Sequence, residues 1–244
     1  MKTMAFASRN YKEMTRDWLT LLFGLAFPLL LLFLLSLIQS NIPNEQFHIE
    51  RLTPGIAMFG LSFISLFSGM LIASDRESSF LLRLFTTPLR SQHFILGYAL
   101  PLLLFAIMQM TFCYLVAFFL GLPLSSNTFW SILTLLPAAL LFIAIGLLTG
   151  SVFTNKQVGG ICGALLTNLC AWLSGAWFDV SLIGGWFEAV AYSLPFLHAV
   201  EASREALSGH LTSTFPHLGW VFLYAIGTSI MAIFVFKRNM RYVQ

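Results

Sequence analysis

The sequence predicts an all-α integral membrane protein with six transmembrane helices. Hydrophobic residues make up 58% of its 244 residues and charged residues only 9%, whereas soluble domains carry about 25% charged residues. Apolar runs of roughly 20 residues recur along the chain, and each is long enough to cross about 30 Å of hydrocarbon. Because these runs tile the sequence, we expect one transmembrane domain over residues 1–244 and no separate soluble domain.

The N-terminal segment, residues 1–17, is polar and carries charges of both signs. Phe6, Tyr11 and Met14 recur in it at roughly helical spacing. This pattern predicts an amphipathic helix that lies in the membrane interface and leads into the first span. The alternative is a frayed terminus.

Six spans follow, with approximate bounds 18–38, 52–74, 98–120, 129–151, 158–178 and 217–236. Pro28 lies inside the first span, where neighbouring helices can satisfy the carbonyl that it leaves free. The second span is rich in Gly and Ser, and the fifth opens with Gly159, Gly160 and Gly163. Small residues let helix backbones approach closely in a membrane, so both stretches are predicted to be packing faces.

The segment between the second and third spans, residues 75–97, is the longest charged stretch between two strongly apolar runs. Its charged residues are Asp75, Arg76, Glu77, Arg83 and Arg90. A short apolar cluster lies among them, formed by Phe80, Leu81, Leu82, Leu84 and Phe85. A span cannot hold so many charges, and a solvated loop needs no such apolar cluster. We therefore predict a short amphipathic helix outside the bilayer that docks on another protein; the alternative is an ordinary solvated loop.

Residues 179–216 interrupt the pattern of spans. Two semi-apolar pieces, at about 185–193 and 196–207, are each too short to cross a membrane. They predict re-entrant or interfacial helices before the last span.

The distribution of Lys and Arg predicts the orientation. With six spans both termini lie on one side, and that side carries eleven of the thirteen basic residues, with only Arg51 and Arg204 opposite. By the positive-inside rule, both termini and residues 75–97 are predicted to be cytoplasmic. Residues 179–216 then face outward.

Several function classes find no support in the sequence. The chain lacks a GxxxxGK[ST] phosphate-binding loop and an HExxH motif. The spans carry no acidic residue at mid-membrane, which argues against a proton- or sodium-driven carrier. The histidines lie in loops or near span ends, so no buried metal or haem site is expected. Cys113, Cys162 and Cys170 fall inside apolar runs without metal-ligand spacing, which predicts small buried hydrophobic residues.

One enzyme class needs separate consideration, the intramembrane serine proteases. Ser174-Gly175 together with His198 or His217 could imitate their serine and histidine. Trp172 stands two positions before the serine, where a small residue is expected, and would crowd an oxyanion site. A helix-packing pair is the favoured interpretation of Ser174-Gly175.

The whole chain resembles the ABC-2 type transporter permeases, the membrane subunits of bacterial ABC exporters. The resemblance in the charged segment rests on Asp75-Arg76-Glu77, Leu81 to Leu84 with Arg83, Thr87-Pro88 and Leu96-Gly97. Further along it rests on Leu173-Ser174-Gly175, Trp177-Phe178, Leu194-Pro195 and Ala202 to Leu207 with Arg204. The departures are Ser78-Ser79 where Gly is common, Leu82 where an acidic residue is common, and Tyr98 where Lys or Arg is common.

The resemblance implies a set of partners and a mechanism. Two permease subunits, expected to be identical, would pair in the bilayer of a bacterial cytoplasmic membrane above two ATP-binding cassette subunits. ATP and Mg would bind to those partners; this chain would bind no cofactor and no nucleic acid, and would not be an enzyme by itself. Residues 75–97 would form the coupling helix. The docking residues would be Phe80, Leu81, Leu84 and Phe85, oriented by Asp75, Arg76, Glu77 and Arg83.

The transported substrate is the least determined feature. Many Phe and few polar residues in the spans favour a lipophilic or amphiphilic substrate such as a drug, an antibiotic or a lipid. A polysaccharide or glycoconjugate exporter, and a non-transporting membrane sensor or resistance component, are the alternatives. Candidate residues of the translocation path are Phe23, Phe27, Phe63, Phe67, Gln109 and Asn168.

Overall fold

The computed structural model describes residues 2–41, 45–78, 80 and 91–241. Every extended regular element in these ranges is a helix, as the composition predicts. In chain order the helices are α1 (Lys2–Arg16), α2 (Trp18–Asn41), α3 (Ile49–Glu77), α4 (Ser91–Phe119), α5 (Ser126–Thr134), α6 (Leu136–Val152), α7 (residues 155–173), α8 (Gly185–Ser193), α9 (Pro195–Leu207) and α10 (Leu211–Arg241). Short 3-10 turns lie at Glu45–Phe47 and Val180–Leu182.

Five helical stretches within the described ranges are long and apolar enough to cross a membrane. They are α2, α3, α4, the α5–α6 pair and α10. The predicted fifth span, 158–178, overlaps α7, which ends five residues earlier, at Leu173. Helix α7 opens with the polar residues Asn155, Lys156 and Gln157 and is therefore less apolar than the others. A sixth crossing by α7 stays a prediction.

Helix α3 is the centre of the bundle. In its most apolar stretch 89% of the residues are buried, against 17% in both α2 and α10, which therefore lie at the periphery. The small residues of α3 let α6 come close: Ser68 donates a 3.1 Å hydrogen bond to the carbonyl of Ile143, and Gly146 lies against Ser65 and Ser68. The predicted packing face of this span is confirmed.

Helix α7 does not use its glycines in the same way. Gly163 packs against Leu66 of α3, but Gly159 and Gly160 have open space where a side chain would be. Within the described part of this chain those two residues contact no other helix, so their share in a packing face stays a prediction. Gly159–Leu166 forms a π-helical segment, and the contact of Gly163 with α3 lies within it.

A second π-helical segment, Leu22–Ala26, lies in α2 just before Pro28. Proline has no N–H, so the carbonyl four residues earlier, that of Gly24, has no α-helical partner. A local change of helix type next to a proline is a common accommodation of this kind.

Helix α1 buries one face, as predicted. Phe6 and Met14 are buried, but the position between them belongs to Asn10, which is fully buried, whereas Tyr11 is only partly covered. This face packs along α4. The placement of α1 in a membrane interface stays a prediction.

The outer pieces predicted at 185–193 and 196–207 are both helices, α8 and α9. Helix α9 begins with Pro195 at its first turn and is buried along most of its length. Arg204 of α9 donates to the carbonyls of Gly175 (2.9 Å) and Arg51 (3.1 Å), and Gln46 donates to the same Gly175 carbonyl at 3.0 Å. Gly175 has a φ of +68°, which glycine adopts without strain.

Several predicted boundaries are wrong by a few residues, because helices continue beyond their apolar runs. The loop given as 75–97 is shorter, since residues 75–77 belong to α3 and residues 91–97 to α4. The last helix starts at Leu211, with Pro216 inside it, and not at residue 217. A helix can extend past the hydrocarbon because its backbone hydrogen bonds are satisfied internally. All three cysteines are free and buried, as predicted.

Candidate coupling site

The carboxylate of Asp75, at the end of α3, is the centre of a buried polar network. Arg9 of α1 donates to it through two hydrogen bonds, from Nη1 to Oδ2 at 2.7 Å and from Nη2 to Oδ1 at 2.8 Å. The hydroxyl of Tyr98 in α4 donates to Oδ2 at 2.8 Å. Asp75 is only 2% exposed, and such a buried carboxylate is tolerable because a bidentate guanidinium and a hydroxyl satisfy it.

Two further residues of α1 hold the start of α4. Asn10 Nδ2 donates to the carbonyl of Gly97 at 3.0 Å. The ring of Phe6 packs directly on Gly97, where a Cβ would collide with it, and meets the rings of Phe94 and Tyr98 edge-on at 5.9 and 4.9 Å. Helix α1 therefore contacts the last turn of α3 and the second turn of α4, the two helices that the connecting segment joins.

The charge on Arg9 is secured by its surroundings. Burial alone would lower the pKa of Arg9, but the hydrogen bonds and the negative charge of Asp75 outweigh it and raise that pKa. Arg9 also forms a 2.8 Å ion pair with Glu13 one turn along α1. Burial raises the pKa of Glu13, although the charge of Arg9 acts in the opposite direction.

The next two residues after Asp75 bind two other helices. Arg76 donates from Nη1 to the carbonyl of Ser151 and from Nη2 to that of Phe153, at the C-terminal end of α6. Glu77 Oε1 accepts a 2.8 Å hydrogen bond from the backbone N–H of Asn155, the first residue of α7. A cation at a helix C-terminus and an anion at a helix N-terminus both complement the helix dipole.

Three consecutive side chains at the end of α3 thus contact three different helices, α1, α6 and α7.

Phe80, one of the predicted docking residues, is half-buried. The guanidinium carbon of Arg9 lies 4.5 Å from the centroid of the Phe80 ring, which is a cation–π distance. The other predicted docking residues, Leu81, Leu84 and Phe85, and the predicted orienting residue Arg83 lie outside the described residues. A role of this segment in docking stays a prediction, and Asp75, Arg76 and Glu77 all have partners within the chain.

Sequence reasoning missed Arg9, Asn10 and Tyr98. Arg9 was one basic residue among several, and Tyr98 was noted only as a departure from Lys or Arg. The structure shows that the Tyr98 hydroxyl supplies a neutral donor to Asp75. A search for distant cationic partners of an acidic residue at a span end could have found Arg9.

The predicted path residues form one aromatic group and three outliers. Phe23, Phe27 and Phe63 are in mutual contact, with the ring centroid of Phe63 5.9 Å from each of the other two. Phe67 instead packs on Phe105 at 6.2 Å. Asn168 lies on an exposed face of α7, where its side chain donates to its own helix.

Gln109, the third outlier, is 1% exposed in α4. Its Nε2 donates weakly to the carbonyl of Ala57 at 3.3 Å. Its Oε1 has no hydrogen-bond partner among the described residues. Gly60 of α3 makes room for this side chain, since a Cβ there would overlap Nε2. Gln109 is therefore a residue of the α3–α4 interface.

The protease-like residues do not assemble into a dyad in the described structure. Ser174 is buried, and its Oγ accepts from the backbone N–H of Ala176 at 3.3 Å. The two ring nitrogens of His198 contact His217 Nδ1 at 2.8 Å and the carbonyl of Tyr192 at 2.9 Å. His198 and His217 thus pair with each other, and neither ring is hydrogen-bonded to Ser174.

A comparison with protein families gives a match over residues 1–208, to the family described as ABC-2 type transporter. The chain belongs to the ABC-2 type transporter family. The matched region contains the whole Asp75 network and ends just before α10. Two relatives of this ABC-2 permease are named as transport permease ycf38. The protein of Porphyra purpurea is 28% identical over 88% of this chain and 78% of its own length, and that of Pyropia yezoensis is 25% identical over 95% and 86%.

Membership of the family fixes the coarse role of the chain. An ABC-2 permease is a membrane component of a transporter, and the family implies pairing with an ATP-binding cassette partner. The apolar helices and the family together indicate a multi-pass membrane protein.

Proposed function

We propose that this chain is the permease subunit of an ATP-driven exporter of lipophilic or amphiphilic molecules, and that the segment joining α3 to α4 couples it to the ATPase. Two copies of the chain would pair, and two ATPase subunits would bind ATP and Mg on the cytoplasmic side of a bacterial membrane. The excess of Lys and Arg on the side of both termini supports this orientation.

The observation that carries the proposal is the division of contacts at the end of α3. Asp75, Arg76 and Glu77 contact α1, α6 and α7 in turn. A displacement of the connecting segment would therefore pull on all three helices at once. A coupling site must have such contacts to several helices, because ATP hydrolysis in one subunit has to rearrange the spans of another.

The aromatic composition supports the substrate class. Phe23, Phe27, Phe59 and Phe63 form a connected group of rings between α2 and α3, and Phe59 also meets Trp177 at 5.2 Å. A path next to such a group would suit an apolar molecule better than a sugar polymer or an ion.

The test is co-purification of the tagged full-length chain from its host, followed by an ATP hydrolysis assay on what elutes with it. We expect a stoichiometric ATP-binding partner that is lost in the Phe80→Asp, Phe85→Asp double variant. Phe119→Asp is the matched control, because Phe119 is 76% exposed at the far end of α4. A chain that elutes without associated hydrolysis, or a partner retained equally by all variants, would contradict the proposal.

A further inference from the structure

A cavity of about 310 Å³ lies between the α1–α2 junction and α3. This volume is at the lower end of the range for small-molecule sites. The lining residues are Glu13, Met14, Asp17, Leu19, Thr20, Phe23, Leu66, Phe67, Met70, Leu71, Ser74 and Asn155. Two of them, Phe23 and Phe67, are among the predicted path residues.

Among the described residues, the lining carries two carboxylates and no basic side chain. Asp17 caps α2 by accepting from the backbone N–H groups of Leu19 and Thr20, both at 3.3 Å, and it has no salt bridge within the described part of the chain. Glu13 pairs through Oε2 with Arg9, which leaves Oε1 free of that ion pair. The basic residues Arg9, Lys12 and Arg16 line a separate depression on the other side of Glu13.

The floor of the cavity is apolar and aromatic. Met14, Phe67 and Leu71 are buried, while Phe23 and Met70 are 38% and 37% exposed and form its open side. An apolar surface alone gives a ligand no preference over lipid, because lipid tails are as apolar as Leu. Charge therefore decides which molecule gains by leaving the bilayer for this cavity. The faces of Phe23 and Phe67 would add cation–π attraction for a positive group.

We infer that this cavity binds a cationic amphiphile, with the apolar body against Phe23, Phe67 and Leu71 and the positive group near Glu13 and Asp17. The inference rests on the proposed function, under which α1 lies at the cytoplasmic surface and the cavity opens toward it. Arg9 also connects the cavity to the coupling site. Its Nη2 contacts both Glu13, which lines the cavity, and Asp75, each at 2.8 Å.

The probe is radiolabelled tetraphenylphosphonium, with tetraphenylborate as an anion of the same shape. The full-length chain, with any co-eluting ATPase, is placed in phosphatidylcholine nanodiscs, and binding to empty nanodiscs is subtracted. We expect saturable binding of the cation that is weakened about tenfold or more in the Glu13→Gln, Asp17→Asn double variant, because both charges are lost. The α2 cap should survive, since Asn caps a helix as well as Asp does.

Two further variants keep the test decisive. Glu50→Gln removes an exposed carboxylate at the other end of α3 and should leave cation binding unchanged. Ser74→Leu fills the cavity without changing its charge and should weaken binding. Equal cation binding by the wild type and the double variant, equally tight saturable binding of tetraphenylborate measured in a separate sample, or full binding by Ser74→Leu would each overturn the inference.

The measurement also separates the inference from the proposed function. Charge-dependent cation binding by a chain that recruits no ATPase would support the cavity as a binding site and contradict the exporter. An intact complex whose cation binding ignores Glu13 and Asp17 would overturn the cavity and leave the exporter standing.

Discussion

Arg9 and Asp75 are 66 positions apart in the sequence, yet two parallel hydrogen bonds of 2.7 and 2.8 Å join their side chains. This pair attaches the first helix of the chain to the helix at the centre of its bundle. The same carboxylate binds Tyr98 of α4, so one buried charge fixes the relative positions of α1, α3 and α4.

Replacing Asp75 with Asn should detach α1. The neutral amide cannot accept two charge-assisted hydrogen bonds from the guanidinium, and we expect a loss of about 2 kcal/mol in stability. Thermal unfolding of the purified protein measures this loss. Trypsin should also cut faster after Lys12 and Arg16. Arg9→Lys should be intermediate, because an ammonium lacks the planar fork. Unchanged unfolding and cleavage in Asp75→Asn would contradict the role given to this pair.

Reversing the charge of Glu77 should uncouple ATP hydrolysis from transport without unfolding the chain. A lysine there would face the N-terminus of α7, where the helix dipole disfavours a cation. We expect transport per ATP hydrolysed to fall about fivefold or more in Glu77→Lys. Glu77→Gln keeps an acceptor for the Asn155 N–H and should lose much less. Normal transport by the lysine variant in reconstituted vesicles would show that Glu77 has no coupling role.

Adding one methyl group at Gly150 should disturb the contact between α3 and α6. A Cβ at Gly150 would lie 2.9 Å from the Cα of Gly69, and backbone atoms cannot move aside as a flexible side chain can. We expect Gly150→Ala to cost about 1 to 3 kcal/mol in unfolding experiments. The matched control is Gly227→Ala in α10, where the space within 4 Å is open. Equal stability of the two variants would show that the α3–α6 contact is looser than described.

Acid should weaken the packing of α9 against α10 through His198. Burial lowers the pKa of His198 and the nearby charge of His217 lowers it further, although the carbonyl of Tyr192 and the charge of Glu201 act in the opposite direction. The unfolded chain has an ordinary histidine pKa near 6.5 and so binds the proton more readily. Stability should therefore be lost as the pH falls through and below about 6.5.

The measurement is the melting temperature at pH 7.5 and 5.5. The wild type should melt about 2 to 4 °C lower at the acid pH, and His198→Gln should lose much of that difference, since Gln stays neutral. His210→Gln serves as the control, because the side chain of His210 is 70% exposed. A pH dependence that persists in full in His198→Gln would place its origin elsewhere.

Most of the fold could be predicted from the sequence but little of the site. The fold depends on interactions that are local in the chain, whereas the site depends on contacts between residues far apart in it. Apolar runs identify spans because each helix satisfies its own backbone in a membrane. The period of α1 identified Phe6 and Met14 in the same way. Asn10 broke the pattern because it has a partner 87 positions away, the carbonyl of Gly97, and no local rule predicts a buried amide.

The site shows the same limit more sharply. The run Asp75-Arg76-Glu77 stands out as charged, and the charges suggested contact with another protein. In the structure each of the three side chains has a partner inside the chain, at Arg9, at the carbonyls of Ser151 and Phe153, and at the N–H of Asn155. Sequence spacing reports where charges lie along the chain, and only packing reports which distant groups neutralise them.

The burial of all three native cysteines has a practical consequence. Cys113, Cys162 and Cys170 each have no accessible surface, so a water-soluble maleimide should leave the unmodified chain unlabelled. A single cysteine introduced at an exposed position, such as Ser8 of α1, would then be the one reactive thiol. Spectroscopic reporters can therefore be attached beside the Arg9–Asp75 pair in the natural background, and the movement of α1 during an ATP cycle can be followed without first removing any native residue.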